Sequence, residues 1–131
     1  MGDRANILIK QTTESKTPQY VFLYSHWGGS ELPATLQTAL KRRVRWDDEA
    51  YLARIIFDEM TDGDHGEETG FGITTQLTDN EYPLIIVDCE TQRIEFHKHV
   101  RDRAQPIGPE LARYTFEEYC ALPSPAWPNR D

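Results

Sequence analysis

The chain has 131 residues, of which 38% are hydrophobic and 27% are charged, and it carries a formal net charge of −8. A chain this acidic lacks the clustered Lys and Arg that bind phosphate backbones, so we expect no direct binding to nucleic acid. Its longest apolar run, residues 84–87, is far shorter than the roughly 20 residues of a membrane-spanning helix, so we expect no membrane association.

Two β-strands are predicted first. Residues 4–10 contain a run of β-forming residues and end at a polar linker, and residues 20–25 are rich in aromatic and β-branched residues. A hairpin is the simplest way to pair them, because only a polar loop separates the two segments. Such a hairpin places the start of the first strand beside the end of the second.

Two helices follow the strands. The first starts after an N-cap at Ser30 and ends at the basic residues 41–43, which suit the negative end of a helix dipole. The second is capped by Asp47 and has acidic residues in its first turn. Their apolar stripes consist of Leu32, Leu36, Ala39 and Leu40 in the first helix and of Leu52, Ile55, Ile56 and Met60 in the second.

The second half of the chain adds strands and one short helix. Strands are predicted at residues 71–77, 84–88 and 93–96, and the last two form a hairpin. Residues 97–109 are charged and irregular. A Thr-x-x-Glu capping box then starts a short helix over residues 115–121.

These elements predict one α+β domain over residues 1–122 and a Pro-rich tail over residues 123–131. Because strands and helices are grouped along the chain, we expect an antiparallel sheet of about five strands with a helix pair packed on one face and a short C-terminal helix. Cys89 and Cys120 are far apart and lack the spacing of metal ligands, which indicates a reducing, cytoplasmic setting.

The corner between the second strand and the first helix is the first candidate site. Its sequence, Ser25-His26-Trp27-Gly28-Gly29, leads into a helix start, where backbone N–H groups favour a phosphate or carboxylate. Trp27 can stack on a planar ring, and His26 can donate a hydrogen bond or move a proton. The alternative is a tight turn with a core tryptophan and a surface histidine.

Several other residues join this site if the hairpin forms. The pairing brings Arg4 and Asn6 beside His26, and Arg54 on the second helix adds a cation. Glu68 and Thr69 lie at the edge of the strand that follows. The predicted ligand-binding set is Arg4, Asn6, Ser25, His26, Trp27, Gly28, Gly29, Arg54, Glu68 and Thr69.

Two further polar clusters favour ordinary surface interpretations. The loop over residues 62–68 holds several carboxylates and an imidazole but lacks the pattern of a calcium loop, so a solvated loop is the preferred interpretation. His97 and His99, with Arg101 and Arg103, have no third ligand nearby in the sequence, which favours a polar strand edge over a metal site. We therefore predict no catalytic residue, no metal and no cofactor.

Four segments of the chain form a recognisable set: Met1-Gly2-Asp3-Arg4-Ala5-Asn6, residues 24–29, Arg45-Trp46-Asp47-Asp48 with Tyr51-Leu52, and Glu68-Thr69-Gly70-Phe71-Gly72. Together they resemble a group of short proteins of bacteriophages, prophages and plasmids. The likeness extends to about residue 95, and no activity is attached to the group. The resemblance implies a mobile-element setting, in which small accessory proteins often counter host defence.

The leading hypothesis is a non-enzymatic protein that binds and sequesters a small anionic, nucleotide-like ligand. One alternative is a metal-dependent hydrolase of a signalling nucleotide, with His26 or His65 as acid or base and with Asp62 and Asp64 as metal ligands. Another is an acidic protein–protein inhibitor that mimics nucleic acid and blocks a host defence enzyme. An exposed Trp27 would also suggest a homo-oligomer.

Overall fold

Runs of β-forming side chains build one sheet, and helices cover one of its faces. The computed structural model describes residues 2–12, 14, 16–102 and 104–128. Its strands are β1 (Ala5–Gln11), β2 (Gln19–Ser25), β3 (Phe71–Thr74), β4 (Leu84–Asp88), β5 (Arg93–His99) and β6 (Ile107–Thr115). Its helices are α1 (Leu32–Leu40), α2 (Glu49–Met60) and α3 (Phe116–Ala121), and a single 3-10 turn over Gly29–Glu31 precedes α1.

The sheet has six described strands in the order β3-β2-β1-β4-β5-β6. The predicted hairpins are confirmed: β1 pairs with β2, and β4 with β5, both antiparallel. The expected antiparallel sheet of about five strands is confirmed in part: the described sheet has six strands, and β1 and β4 run parallel at its centre. Two antiparallel halves of three strands meet there, and the strands that join them are buried along most of their length, as central parallel strands usually are.

The strand missed by the sequence prediction is β6, which covers part of the segment expected to be irregular. It pairs antiparallel with β5 at the edge of the sheet. Pro109 has no backbone N–H, and an edge strand tolerates this because one of its sides has no neighbouring strand. Much of β6 is exposed, so its sequence lacks the clean apolar alternation of a half-buried strand.

The two faces of the sheet are covered differently. The larger core joins α1, α2 and α3 to one face, so the predicted helix pair on one face is confirmed. The opposite face carries a smaller apolar cluster, formed by Leu8, Phe22, Leu84 and Ile86. No described helix in the structure is long and apolar enough to cross a membrane.

The helix starts differ by a residue or more from the prediction. Asp48, not Asp47, caps α2, since its carboxylate accepts a hydrogen bond from the Tyr51 backbone N at 3.1 Å. Ser30 does not cap α1, because the 3-10 turn places Glu31 at that position, without a side-chain cap bond. The capping box at the start of α3 is confirmed.

The C-terminal segment is attached to the domain. The Gln37 side chain donates hydrogen bonds to the carbonyls of Tyr119, Cys120 and Leu122, at 3.0, 3.3 and 2.7 Å, which holds the end of α3 against α1. Trp127 in the Pro-rich tail donates to the Gly29 carbonyl at 2.8 Å. Residues 129–131 of that tail lie outside the described residues.

Candidate functional site

One end of the sheet gathers polar and aromatic residues from four segments of the chain. The start of β1, the end of β2, the segment before β4 and the end of β5 meet there, because β1 and β4 are parallel and their partners are antiparallel. We call this group the sheet-end cluster. It consists of Arg4, Asn6, Tyr24, His26, Trp27, Asp79, Asn80, Glu81 and His99.

The hairpin register brings the predicted residues of β1 and β2 together. Asn6 lies opposite Tyr24, and the Asp3 backbone N donates to the His26 carbonyl at 2.7 Å. Arg4 therefore lies beside His26, as the sequence predicted.

Carboxylates surround Arg4. Its guanidinium Nη1 lies 3.2 Å from Asp79 Oδ2, and its backbone N donates to Glu81 Oε2 at 2.7 Å. About a third of the Arg4 side chain, 34%, stays exposed. One cation thus faces two acidic side chains, so the potential here is weak and suits at most a ligand of low negative charge.

Asn6 is fully buried, and its side chain connects β1 to the segment before β4. Its amide donates to the Asp79 carbonyl at 2.8 Å and to Asn80 Oδ1 at 3.2 Å. Asn80 in turn donates to the Tyr82 carbonyl and to His99 Nδ1, the latter at 3.2 Å. Asn6 therefore holds the segment before β4 in place and does not face solvent.

Tyr24, His26 and Trp27 form an aromatic ledge at the surface. The Tyr24 hydroxyl lies 2.7 Å from His26 Nδ1, and the His26 ring meets the Trp27 ring edge-on at 4.7 Å. Burial, and less strongly Asp79, raises the pKa of Tyr24, so its hydroxyl keeps its proton at neutral pH, and the tautomer of His26 sets which of the two groups donates. Trp27 is 59% exposed, so it is not the core residue of the alternative interpretation.

The Asp3 carboxylate occupies the anion-binding position predicted at the glycine corner, the segment over residues 25–29 that leads into the first helix. Its carboxylate accepts hydrogen bonds from the Ser30 backbone N, at 2.9 Å, and from the Tyr82 hydroxyl. The Gly29 N donates to the Asp3 carbonyl at 2.8 Å, and a Cβ on Gly29 would lie 2.5 Å from that oxygen. The backbone N–H groups at this helix start are therefore used inside the molecule.

The other glycine-corner residues are also structural. Ser25 is buried, and its hydroxyl accepts a hydrogen bond from the Gly28 backbone N at 3.1 Å. The His26 backbone N donates to the Gly70 carbonyl at 2.9 Å, and the Trp27 ring lies against Gly70. The corner thus presents Trp27 and His26 while its backbone is engaged elsewhere.

Arg54, Glu68 and Thr69 are not brought together with the sheet-end cluster by any described hydrogen bond, ion pair or ring contact. Thr69 lines a cavity of about 300 Å³ together with Asp58 and His65. Arg54 is highly exposed and pairs with Asp58 at 4.0 Å on its own helix, and Glu68 is exposed. Thr69 precedes Gly70, which lies against the Trp27 ring.

The two metal hypotheses have different outcomes in the described residues. Asp62 and Asp64 are exposed and belong to no described group of three close metal-ligand atoms, whereas one such atom from each of Glu95, His97 and Glu110 lies within 4.8 Å of the others. Glu110 was not foreseen from the sequence, because the unrecognised strand β6 brings it opposite His97.

His99, the second histidine of that predicted cluster, does not belong to the group around His97. Burial and Arg101 lower the pKa of His99, which bonds to Asn80 and not to the group around His97. Arg103 lies outside the described residues.

A wide groove on the sheet face without helices has no counterpart in the sequence prediction. It encloses about 1430 Å³ and is lined by Gln11, residues 17–22, residues 75–78 and residues 104–107. The residues that line the groove are uncharged, so the groove provides surface contacts and hydrogen bonds but no strong electrostatic potential.

The site residues that the sequence prediction missed come from the segment before β4. Asp79, Asn80 and Glu81 are polar residues placed just ahead of a strongly apolar strand, and this was the only signal they gave. Comparison with protein-family models, with curated proteins and with solved structures finds no match to the chain. What the sheet-end cluster binds is therefore inferred from its own chemistry.

Proposed function

We propose that this protein binds and sequesters a small nucleotide-like ligand at the sheet-end cluster without changing it chemically. The observation that carries the proposal is the exposed Trp27 ring, which meets the His26 ring edge-on, while the partly exposed Arg4 lies next to His26 just before the neighbouring strand β1. An indole face open to water is a platform for a planar base, and one base stacked on an aromatic ring contributes about 1–3 kcal/mol.

The charges around Arg4 narrow the ligand class. Asp79 pairs with the guanidinium and the Glu81 carboxylate lies at the Arg4 backbone N, so a ligand with one phosphate group fits better than a triphosphate. A guanidinium binds a phosphate through two parallel hydrogen bonds, and the exposed part of Arg4 offers this contact once Asp79 is displaced. Asn6 acts as a positioning residue in this proposal.

The proposal of sequestration is favoured over hydrolysis by the state of the candidate catalytic groups. His26 Nδ1 is engaged by Tyr24, and Asp62 and Asp64 are not part of a converging metal-ligand group among the described residues. Inhibition by nucleic-acid mimicry is disfavoured because acidic side chains pair with basic ones across the surface, as in Arg42–Glu59 and Arg43–Glu117.

The resemblance to phage and plasmid proteins supplies the biological part of the proposal. Within a host cytoplasm, a protein of this kind would lower the free concentration of a signalling nucleotide used in defence. Stoichiometric binding suits that task, because the protein needs only to hold its ligand.

Calorimetric titration with a panel of ligands tests the proposal. The panel contains nucleoside monophosphates, cyclic mononucleotides, cyclic dinucleotides and ATP, and ribose 5-phosphate serves as the ligand without a base. We expect a 1:1 complex with one of the phosphorylated nucleosides, weaker binding of ATP, and recovery of unchanged ligand after denaturation. A chemically altered product would instead support the hydrolase.

A pair of aromatic variants supplies the control. Trp27→Ala should weaken binding by about 5- to 150-fold, which corresponds to the loss of one stacked base. Tyr51→Ala removes another exposed aromatic ring, on α2, and should leave affinity unchanged. Equal affinity in both variants would refute the assignment of Trp27. Light scattering on the same proteins shows whether Trp27 mediates self-association instead.

A further inference from the structure

A second polar group lies on the sheet face without helices, away from the aromatic ledge. Glu95 and His97 are two residues apart on β5, so their side chains project from the same face. Glu95 lies opposite Ile86 of the smaller apolar cluster, which identifies that face. Glu110 on β6 lies opposite His97.

The backbone fixes the orientation of His97. Its Nδ1 lies 2.9 Å from the Gly108 carbonyl, which only accepts hydrogen bonds, so Nδ1 carries a hydrogen. Its Nε2 then faces Glu95 Oε1 at 2.9 Å. The ring nitrogen that faces away from the backbone and a carboxylate oxygen thus lie close enough to contact one bound metal ion. A histidine held by a backbone carbonyl through its other nitrogen is the usual arrangement of a metal ligand.

An irregularity in the strand pairing assembles the group. The register between β5 and β6 shifts on both sides of His97: Leu111 is extra on one side, and Gly108 and Pro109 together lie opposite Lys98 on the other. Such bulges redirect side chains. A Cβ on Gly108 would lie 2.7 Å from the Lys98 carbonyl oxygen, so only glycine fits without movement. The bulge therefore places both the Gly108 carbonyl and the Glu110 carboxylate next to His97.

We propose that His97 Nε2 and the carboxylates of Glu95 and Glu110 bind one divalent transition-metal ion, Zn²⁺ in particular. The three ligand atoms lie within 4.8 Å of one another, a separation that small rotations of the side chains close to a common centre. One imidazole nitrogen with two carboxylate oxygens suits Zn²⁺ better than Ca²⁺ or Mg²⁺, which prefer oxygen alone. Water completes the coordination, and the site does not depend on the proposed nucleotide binding.

Arg113 is the internal competitor for this metal. Its Nε donates to Glu110 Oε1 at 2.7 Å, so Zn²⁺ must displace the guanidinium from that carboxylate. Removing the guanidinium should therefore strengthen metal binding. If the residues formed only the ion pairs His97–Glu95 and Arg113–Glu110, the loss of the guanidinium would not raise the affinity for Zn²⁺. A gain in affinity therefore distinguishes a metal site from structural ion pairs.

The experiment is a calorimetric titration of Zn²⁺ into protein without a histidine tag, with Co²⁺ absorption as a second readout of coordination by nitrogen and oxygen. The unmodified chain should bind one Zn²⁺. His97→Gln should abolish this binding, and Gly108→Ala should weaken it by about 10- to 100-fold through loss of the supporting carbonyl geometry. Circular dichroism checks that each variant is folded.

Surface variants keep the test decisive if His97→Gln does not fold. Arg113→Gln should bind Zn²⁺ more tightly than the unmodified chain, and Glu110→Gln more weakly. His65→Gln, in the exposed loop before β3, is the matched control and should match the unmodified chain. Absence of 1:1 binding, or identical Zn²⁺ affinity in the Arg113→Gln, Glu110→Gln and unmodified proteins, overturns the proposal.

Discussion

Asp3→Ala tests whether the glycine corner is held by the chain's own carboxylate. That carboxylate accepts hydrogen bonds from the Ser30 backbone N and from the Tyr82 hydroxyl, and the substitution removes both bonds. A hydrogen bond to a charged group contributes about 1.5–3 kcal/mol. The contact to Ser30 is exposed and the contact to Tyr82 is only part-buried, so we apply the lower end of that range to each bond. We therefore expect the free energy of unfolding to fall by about 3 kcal/mol.

Urea unfolding at neutral pH measures this loss, and the dependence on denaturant should keep its slope. Tyr82→Phe removes one of the two bonds and should cost about half as much. The double variant should cost less than the two single effects added, since both remove the same Asp3–Tyr82 bond. A loss of under about 0.5 kcal/mol for Asp3→Ala, the range of ordinary surface substitutions, would refute the role assigned to this carboxylate.

The same variant also tests the explanation for the occupied anion-binding position. Without the Asp3 carboxylate, the N–H of Ser30 at the helix start becomes available to another anion. Inorganic phosphate should then stabilise Asp3→Ala more than it stabilises the unmodified chain. Equal stabilisation of the two proteins by phosphate would show that the backbone there does not bind anions.

Three further predictions concern stability and reactivity. The pKa of His99 is lowered below 6.5 by burial and by Arg101, so its contribution to stability is complete above that pH and is lost as pH falls toward the folded-state value. His99→Gln should flatten this part of the curve of urea midpoint against pH. Burial raises the pKa of Cys89 to about 12, so a thiol reagent should label it at mildly alkaline pH only after unfolding. Gln37→Leu leaves three carbonyls at the end of α3 without this donor and should cost about 1–3 kcal/mol in urea unfolding.

The hairpin of β1 and β2 could be predicted because both strands carry strong β-forming runs and only a polar loop joins them. β6 could not, since an edge strand with Pro109 and exposed charges lacks the alternation that burial imposes on a sequence. The parallel contact of β1 and β4 left a partial signal in their unbroken apolar runs, which are typical of central strands. Grouping of elements alone had suggested an antiparallel sheet.

In the candidate site, too, features set by neighbouring residues could be predicted, and contacts between distant parts of the chain could not. Local pattern pointed to His26 and Trp27, and the structure exposes the Trp27 ring. The partners of Arg4 and Asn6 lie more than 70 residues away along the chain, in the segment before β4, so no periodicity could associate them. The hydrogen bond from the backbone at the helix start to Asp3 could not be predicted either. A short motif does not reveal which backbone N–H groups are already bonded.

The residues of the sheet-end cluster and of the glycine corner therefore divide by burial into two roles that experiments can separate. Asn6 and Gly29 are buried and fix the geometry, so their substitution should lower stability first. Trp27 is exposed and Arg4 half-buried, so their substitution should lower affinity first. A bound ligand stabilises the fold in proportion to the logarithm of its concentration over its dissociation constant. If Trp27 and Arg4 bind the ligand, their variants lose this ligand-dependent gain while the stability of the free protein changes little.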